Sequence, residues 1–227
     1  MTRIPTEDDF PSSLPLSLHY PSPREATTST LTLLHGLGDT HAPFTTFARN
    51  LNLPGVLAIS IRGTSPLPSI FLPSSSPGFH WGDDVALSPS GDIDADPGFS
   101  KAVAAITNMV DTSLINTCGW NEKDITIFGF GQGGALALGI AAGREAEFKG
   151  VVSIGGGVPG SLARQEKRKT KVMVVQGTEE EVESAKRQFG DVRVVKWRRS
   201  EVGMPRDREE ILPIMKFFAE RLNAGWA

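Results

Sequence analysis

The sequence predicts an α/β fold with a mainly parallel central sheet and helices on both faces. Segments of β-type apolar residues alternate along the chain with segments of helical apolar spacing. Three predicted strands, at 150–156, 171–177 and 192–197, are almost continuously apolar, which is typical of parallel strands buried on both faces. A glycine-rich corner at 129–134 joins a further apolar strand directly to a helix.

The elements before the corner follow the same alternation. Residues 1–15 are rich in Pro, Ser and acidic side chains, which predicts a flexible N-terminal arm, and residues 16–227 are expected to form a single domain. Residues 29–39 predict a buried strand that breaks at glycine, 42–51 a short helix and 55–61 a second strand.

The remaining segments predict a long loop and two helices. Residues 62–98 are rich in Pro, Ser and Gly, and a segment of this length in a compact domain is often a binding loop or lid. Residues 99–115 and 208–222 have the apolar spacing of amphipathic helices, although Pro213 is unfavourable inside the second.

Composition restricts the function and the compartment. The 227 residues are 39% hydrophobic and 22% charged, with a formal net charge of -3 that gives no basis for general nucleic-acid binding. No apolar run approaches the roughly 20 residues of a membrane span, and the polar, acidic N-terminus does not resemble a signal peptide. A single cysteine fits a reducing compartment, so we expect a cytoplasmic protein, with the nucleus as an alternative. The oligomeric state is left open.

Two local charge patterns suggest other sites. Asp92, Asp94 and Asp96 are spaced like the opening of a calcium loop, but the twelfth position is Val103 and the central glycine is absent, so a turn and helix cap is expected. The basic run RQEKRKTK at 164–171 predicts a solvated loop, with a phosphate contact or nuclear import as the alternative. We expect no metal and no cofactor.

The corner ITIFGFGQGGAL allows two interpretations. Gly129, Gly131 and Gly134 match the phosphate-binding pattern G-x-G-x-x-G, but strands precede it and no acidic residue ends the next strand to bind a ribose. The alternative is a nucleophile elbow, G-x-S-x-G, in which the serine position holds Gly131.

A set of motifs in order favours the elbow. The stretches LLHGLGDT (33–40), WGDD (81–84), GFGQGGALAL (129–138), VVQGTEEEV (174–182) and VGMPRD (202–207) resemble the acyl-protein thioesterase and phospholipase/carboxylesterase family of α/β-hydrolases. The resemblance covers roughly residues 30–222. It implies an α/β-hydrolase fold and an esterase or thioesterase ancestry.

The resemblance assigns triad positions that no longer hold triad residues. The nucleophile position is Gly131, the acid position is best placed at Glu180, and the histidine position is Arg206. All four histidines precede the corner, whereas this fold places its histidine after the nucleophile and the acid. Arginine cannot replace imidazole as a base, because it does not lose its proton in proteins. We expect Arg206 to form an ion pair with Glu180, or else with Glu179 or Asp207.

The resemblance also assigns a ligand-binding region. Leu37 and Gln132 occupy the positions whose backbone N–H groups form the oxyanion hole, and these groups do not depend on the triad. Phe71, Phe79 and Trp81 fall in the region that borders the acyl groove of related hydrolases, so we expect them to line an apolar pocket.

The sequence is consistent with three functions. The first is a catalytically inactive α/β-hydrolase that binds a protein partner or an acyl-type ligand. The second is a weak or unorthodox ester or thioester hydrolase that uses another nucleophile or a water molecule. The third is a dinucleotide-binding protein, based on the G-x-G-x-x-G match.

Overall fold

A seven-stranded sheet forms the centre of the domain in a computed structural model that describes residues 2–72, 76–85, 87, 94 and 96–223. The strand order is β1-β3-β2-β6-β7-β8-β9; β1 pairs antiparallel with β3, and every other pairing is parallel. The strands are β1 (Leu16–His19), β2 (Ser29–Leu34), β3 (Val56–Ile61), β6 (Ile125–Phe130), β7 (Gly150–Ile154), β8 (Val172–Val175) and β9 (Val192–Val195). Two short strands, β4 (Ser65–Pro66) and β5 (Phe79–His80), form a separate antiparallel pair.

Helices cover both faces of the sheet, as the sequence predicts. They are α1 (His41–Leu51), α2 (Ser100–Asn108), α3 (Gln132–Gly143), α4 (Glu179–Gln188) and α5 (Arg208–Asn223), with a π-helical segment, Met109–Thr117, continuing α2. Buried side chains of α2, α3 and α4 share one hydrophobic cluster, and those of α1 and α5 share the other. The parallel sheet separates these two clusters, which is the layered arrangement of an α/β domain.

Strand register brings three strand ends together. Leu34 of β2 lies opposite Gly129 of β6, and Gly129 lies opposite Ser153 of β7. Because these strands are parallel, the loops that leave their carboxyl ends emerge side by side, where ligands bind in open α/β sheets.

One element differs from the sequence prediction, and another was not predicted. The strand β9 lies at the edge of the sheet, and Val194 is 39% exposed, so β9 is not buried on both faces. The segment 179–188 forms helix α4, whose first turn is stabilised by a reciprocal cap between Thr178 and Glu181. The acidic run at 179–181 fits this placement, because acidic residues are favoured in the first turn of a helix.

The N-terminal segment packs against the domain, in contrast to the expected loose arm. Phe10 and Leu14 are 9% and 5% exposed and belong to the hydrophobic cluster of α2, α3 and α4. The indole of Trp120 donates to the carbonyl oxygen of Arg3 at 2.8 Å, and Tyr20 donates to that of Pro5 at 2.9 Å. The polar composition of the segment concealed its two apolar anchors.

No helix within the described ranges combines the length and the apolar character that crossing a bilayer requires.

The packed N-terminal segment predicts a stability effect. Phe10→Ala should lower the free energy of unfolding by about 2–4 kcal/mol, because it leaves a cavity in the core. Denaturant unfolding gives the value. Ile70→Ala is the control, because Ile70 is 85% exposed and its truncation should change stability by at most about 0.5 kcal/mol. Equal effects of the two substitutions would mean that the segment does not pack in solution.

Candidate functional site

The corner between β6 and α3 has the geometry of a nucleophile elbow. Gly131 connects the two elements with φ 53° and ψ -119°. Its N–H donates to Ile154 of β7 at 2.8 Å, and its carbonyl oxygen accepts from Ala135 of α3 at 3.0 Å. A positive φ of this kind is strained for residues with a side chain, and glycine adopts it at little cost.

Three other glycines let α3 touch the sheet. A Cβ atom added to Gly133 would overlap the carbonyl oxygen of Leu34, and one added to Gly129 would overlap that of Gly133. A Cβ atom at Gly134 would overlap the hydroxyl of Ser153. These glycines are required for packing.

The space at Gly131 is different. A Cβ atom at Gly131 would have only the Cα of Gly36 nearby, at 3.9 Å. The space that a serine side chain would occupy is therefore open, and glycine at 131 is favoured by backbone conformation alone.

A cleft of about 660 Å³ opens above this corner, at the carboxyl ends of the strands. It is bounded by Leu37 after β2, by the corner and Ala135, by residues 155–160 after β7, and by α4 with the residue that precedes it. The side chains that bring charge to it are Asp94, Asp96, Glu180, Glu181 and Arg187. The structure thus brings together Leu37, Gly131, Gln132 and Glu180.

The imidazole of His35 holds the loop on which Leu37 lies. His35 is fully buried; the N–H of Gly63 donates to its Nε2 at 2.8 Å, and its Nδ1 is 2.7 Å from the carbonyl oxygen of Gly36. Since Nε2 accepts a hydrogen bond, the proton is on Nδ1, which donates to Gly36. Burial lowers the pKa of His35, so the ring is neutral near pH 7.

Trp81 connects the same loop to the start of α3. Its indole N–H donates to the carbonyl oxygen of His35 at 2.8 Å, and its backbone N–H donates to the side-chain oxygen of Gln132 at 2.8 Å. Trp81 also lies against the His35 ring, with 5.0 Å between the ring centroids. Trp81 is fully buried and is not among the residues that line the cleft.

Two backbone donors remain free at the cleft. Neither the N–H of Leu37 nor that of Gln132 donates to another described residue, and both residues line the cleft. Gln132 is the first residue of α3, a 12-residue helix whose N-terminal end carries a partial positive charge. An oxygen atom that carries negative charge is favoured at such a helix end.

The aromatic residues expected in an apolar pocket lie outside the cleft lining. Phe79 pairs through its backbone with Gly38 and Asp39, and the guanidinium of Arg62 lies 4.5 Å from its ring centroid. Phe71 is half-buried in a short 3-10 turn. The sequence placed these residues in the correct loop but did not indicate which way each ring faces.

The prediction of an ion pair between Arg206 and Glu180 is wrong. Arg206 contacts Glu201 at 2.8 Å, and the two side chains are 59% and 67% exposed. Glu180 lines the cleft without a hydrogen bond or ion pair to another described residue. The loop that carries Arg206 turns its side chain to solvent.

An ion pair between Arg199 and Glu210 determines the course of the loop that carries Arg206. Arg199 donates to the Glu210 carboxylate at 2.7 Å and to the carbonyl oxygen of Met204 at 2.9 Å. Glu210 also accepts the backbone N–H of Arg206 at 2.8 Å. Gln176, after β8, donates to the carbonyl oxygen of Arg199 and fixes the pair to the sheet.

Two further residues of this region, Gln176 and Arg187, were not predicted from the sequence. Gln176 lies four residues before Glu180, and its positive φ of 54° is rare for a residue other than glycine. Arg187 was also missed, although it lies two turns after Glu180 on the same helix. A helical assignment for 179–188 would have indicated this placement.

No imidazole reaches the cleft. All four histidines are described, and none of them lines it. The hydroxyls of Thr178 and Ser184 lie there, but Thr178 caps α4 and Ser184 donates to the carbonyl oxygen of Glu181 at 2.7 Å. Neither hydroxyl donates to a carboxylate or an imidazole among the described residues.

The described acidic residues form no metal site. No group of three or more His, Cys, Asp or Glu side chains in the described ranges is arranged to hold a metal ion. Asp92, the first residue of the calcium-like pattern, lies outside the described residues. Asp96 accepts the backbone N–H of Ser161 at 2.9 Å and so joins the long loop to residue 161.

The parallel sheet, the two helical layers and the strand–glycine–helix corner together define an α/β-hydrolase fold. The family model for phospholipase/carboxylesterase matches residues 19–187. The chain therefore belongs to the phospholipase/carboxylesterase family.

Individual relatives agree with this assignment. An uncharacterized hydrolase of Schizosaccharomyces pombe is 36% identical over 134 residues, which cover 57% of this chain and 54% of that protein. The match thus spans about half the length of that relative.

Solved structures agree in fold. Esterase PE8 superposes with a TM-score of 0.71 at 16% identity, over 91% of this chain and 98% of its own. Acyl-protein thioesterase 2 of Zea mays gives a TM-score of 0.63 at 18% identity, over 92% of this chain and 99% of its own.

The buried imidazole predicts an NMR signature. Long-range ¹H–¹⁵N correlation spectra should show His35 as the Nδ1–H tautomer, because Gly63 donates to Nε2. Its pKa should lie below the ordinary value of 6.5. Protonation of His35 would therefore cost stability as the pH falls below that value. An Nε2–H tautomer, or protonation above pH 6.5, would contradict the described hydrogen bonds.

The Arg199–Glu210 pair predicts an acid-dependent effect. The hydrogen bond from Arg199 holds the pKa of Glu210 below its ordinary value of 4.5. This stabilisation is present above pH 4.5 and is lost as the pH falls through the lowered pKa. Glu210→Gln should therefore destabilise the protein at pH 7 and have a smaller effect at pH 3, as measured by denaturant unfolding.

Glu209→Gln is the matched control, since Glu209 is exposed and lies 3.6 Å from the exposed Arg198. It should have little effect at either pH. A pH-independent effect of Glu210→Gln would mean that the pair does not hold the loop.

Proposed function

We propose that this chain binds an acyl-type ligand without hydrolysing it. In this proposal the N–H groups of Leu37 and Gln132 bind the carbonyl oxygen of the ligand, and the open space at Gly131 accommodates its carbonyl carbon. The ligand is thus held where related enzymes attack an ester or thioester. Binding uses backbone groups, so the activity of the family is lost while its recognition site is retained.

The absent nucleophile is the observation that carries the proposal. Gly131 has the elbow conformation and an open space above it, but it has no hydroxyl. Glu180 and Arg206 stand at the positions of the acid and the base, and Arg206 pairs with Glu201 outside the cleft. Covalent catalysis needs a nucleophile and a base within hydrogen-bond reach of each other, and the described residues that line the cleft provide no such pair.

Charge at the cleft favours a neutral ligand. The cleft lining contains Asp94, Asp96, Glu180 and Glu181 against one cation, Arg187. A free carboxylate would be repelled by this excess of negative charge, whereas an uncharged ester, thioester or amide would not. The occupant is therefore an acyl compound with a neutral carbonyl, and a protein carrying such a group is one source of it.

A slow hydrolase is the second candidate. Glu180 has a carboxylate without a partner at the cleft, and this carboxylate could activate a water molecule against a carbonyl held by Leu37 and Gln132. The dinucleotide hypothesis has less support, because the strand after the corner ends in glycines and offers no carboxylate for a ribose.

The first test is hydrolysis of p-nitrophenyl butyrate and of an acyl thioester. Purified protein should give no turnover above the buffer blank, and Gly131→Ser should not restore it, because no imidazole lies at the cleft. Turnover that survives repurification and disappears in Glu180→Gln would establish the second candidate instead.

Binding is tested separately by saturation-transfer NMR with p-nitrophenyl butyrate. The ester should receive saturation from the protein and remain intact. Ala135→Trp should abolish the signal, because Ala135 lines the cleft and a larger side chain would fill it. Ala219→Trp, on the exposed side of α5, is the control and should bind like the unaltered protein. Equal signals from the two variants would refute binding at this cleft.

A further inference from the structure

Three lysines meet at the end of the sheet opposite the cleft. Lys149 and Lys171 directly precede β7 and β8, and Lys123 lies two residues before β6. These strands are parallel and adjacent in the sheet. Because neighbouring strands lie about 4.8 Å apart, residues that begin them are close in space. Lys171 is also the last residue of the basic run at 164–171.

The lysines surround a pocket of about 290 Å³, which we name the amino-edge pocket. Its lining is Lys123, Asp124, Glu147, Phe148, Lys149, Lys171 and Arg221. Arg221 comes from the last turn of α5 and closes the pocket on one side. The lining therefore carries four cationic side chains and two carboxylates.

The cations of this pocket have few partners. None of the three lysines forms an ion pair or a side-chain hydrogen bond with a described residue, although Lys149 and Lys171 are half-buried. The Nε of Arg221 is buried and has no hydrogen-bond partner. The three ammonium groups beside it likewise lack an acceptor among the described residues, and unpaired cationic donors at a pocket favour an anionic ligand.

The nearby carboxylates do not supply this acceptor. The carboxylate of Glu220 lies 3.9 Å from Arg221 and forms a closer pair with Arg193, at 2.8 Å. Asp124 accepts the backbone N–H of Asn121 at 3.1 Å and caps a short turn. Asp124 and Glu147 together balance two of the four cations, so the lining keeps an excess of two positive charges.

We propose that the amino-edge pocket binds the phosphate monoester group of a small molecule. All of its charged donors are N–H groups, which match an oxygen-rich anion. A phosphate monoester carries nearly two negative charges at pH 7, which offsets the net charge of the lining. The open mouth of the pocket leaves room for the organic part of the ligand. This site is independent of the proposed acyl site at the opposite end of the strands.

The test is calorimetric titration with glycerol 3-phosphate and with inorganic phosphate, at constant ionic strength. Both probes should bind saturably, and affinity should rise between pH 5.5 and 7.5 as the second phosphate proton is lost. Lys149→Gln combined with Lys171→Gln should weaken binding by about tenfold or more, which is about 1.4 kcal/mol. Arg221→Gln should also weaken it, because one of the four cationic charges of the lining is removed.

Lys167→Gln combined with Lys169→Gln is the matched control. Both lysines are exposed, lie in the same basic run and are absent from the pocket lining. This variant removes the same charge and should retain full affinity; circular dichroism melting checks that every variant folds. Equal weakening by the two double variants, or no saturation, would overturn the proposal. Binding to phosphatidylserine vesicles without binding to glycerol 3-phosphate would also overturn it and indicate a membrane surface.

Discussion

Backbone contact between α3 and the sheet is the constraint on which the site depends. Gly129, Gly133 and Gly134 leave no space for a Cβ atom between the helix and the ends of β2, β6 and β7. This contact fixes where α3 begins, and it does not involve the side chain at position 131. The elbow and the free donors at its helical end can therefore persist when the nucleophile is absent, because packing alone preserves them.

The hydrogen bonds that hold the loop of Leu37 are likewise independent of the side chain at position 131. His35 accepts from Gly63 and donates to Gly36, while Trp81 connects His35 to the Gln132 side chain. These groups are buried, so losing one of them would leave unpaired polar atoms in the core. Stability therefore maintains the geometry around the N–H groups of Leu37 and Gln132, whether or not the residues of a triad are present.

The sequence predicts features set by local patterns and misses features set by distant contacts. Glycine spacing and apolar runs are local, so the parallel sheet, the corner at Gly131 and the positions of Leu37 and Gln132 were all predictable. The partner of Arg206 was not, because it depends on how Arg199 and Glu210 direct the loop. Phe10 and Leu14 lie isolated in a polar segment, and only the tertiary structure shows their burial.

The central claim is that Leu37 and Gln132 hold a neutral carbonyl that the protein does not cleave. Titrating ¹⁵N-labelled protein with butyramide, an uncharged carbonyl compound, tests it through the backbone amide resonances. Saturable downfield shifts of the Leu37 and Gln132 amide protons, with butyramide recovered unchanged, are the result that the account predicts. Unshifted resonances at both residues at saturating butyramide, or the release of butyrate, would contradict it.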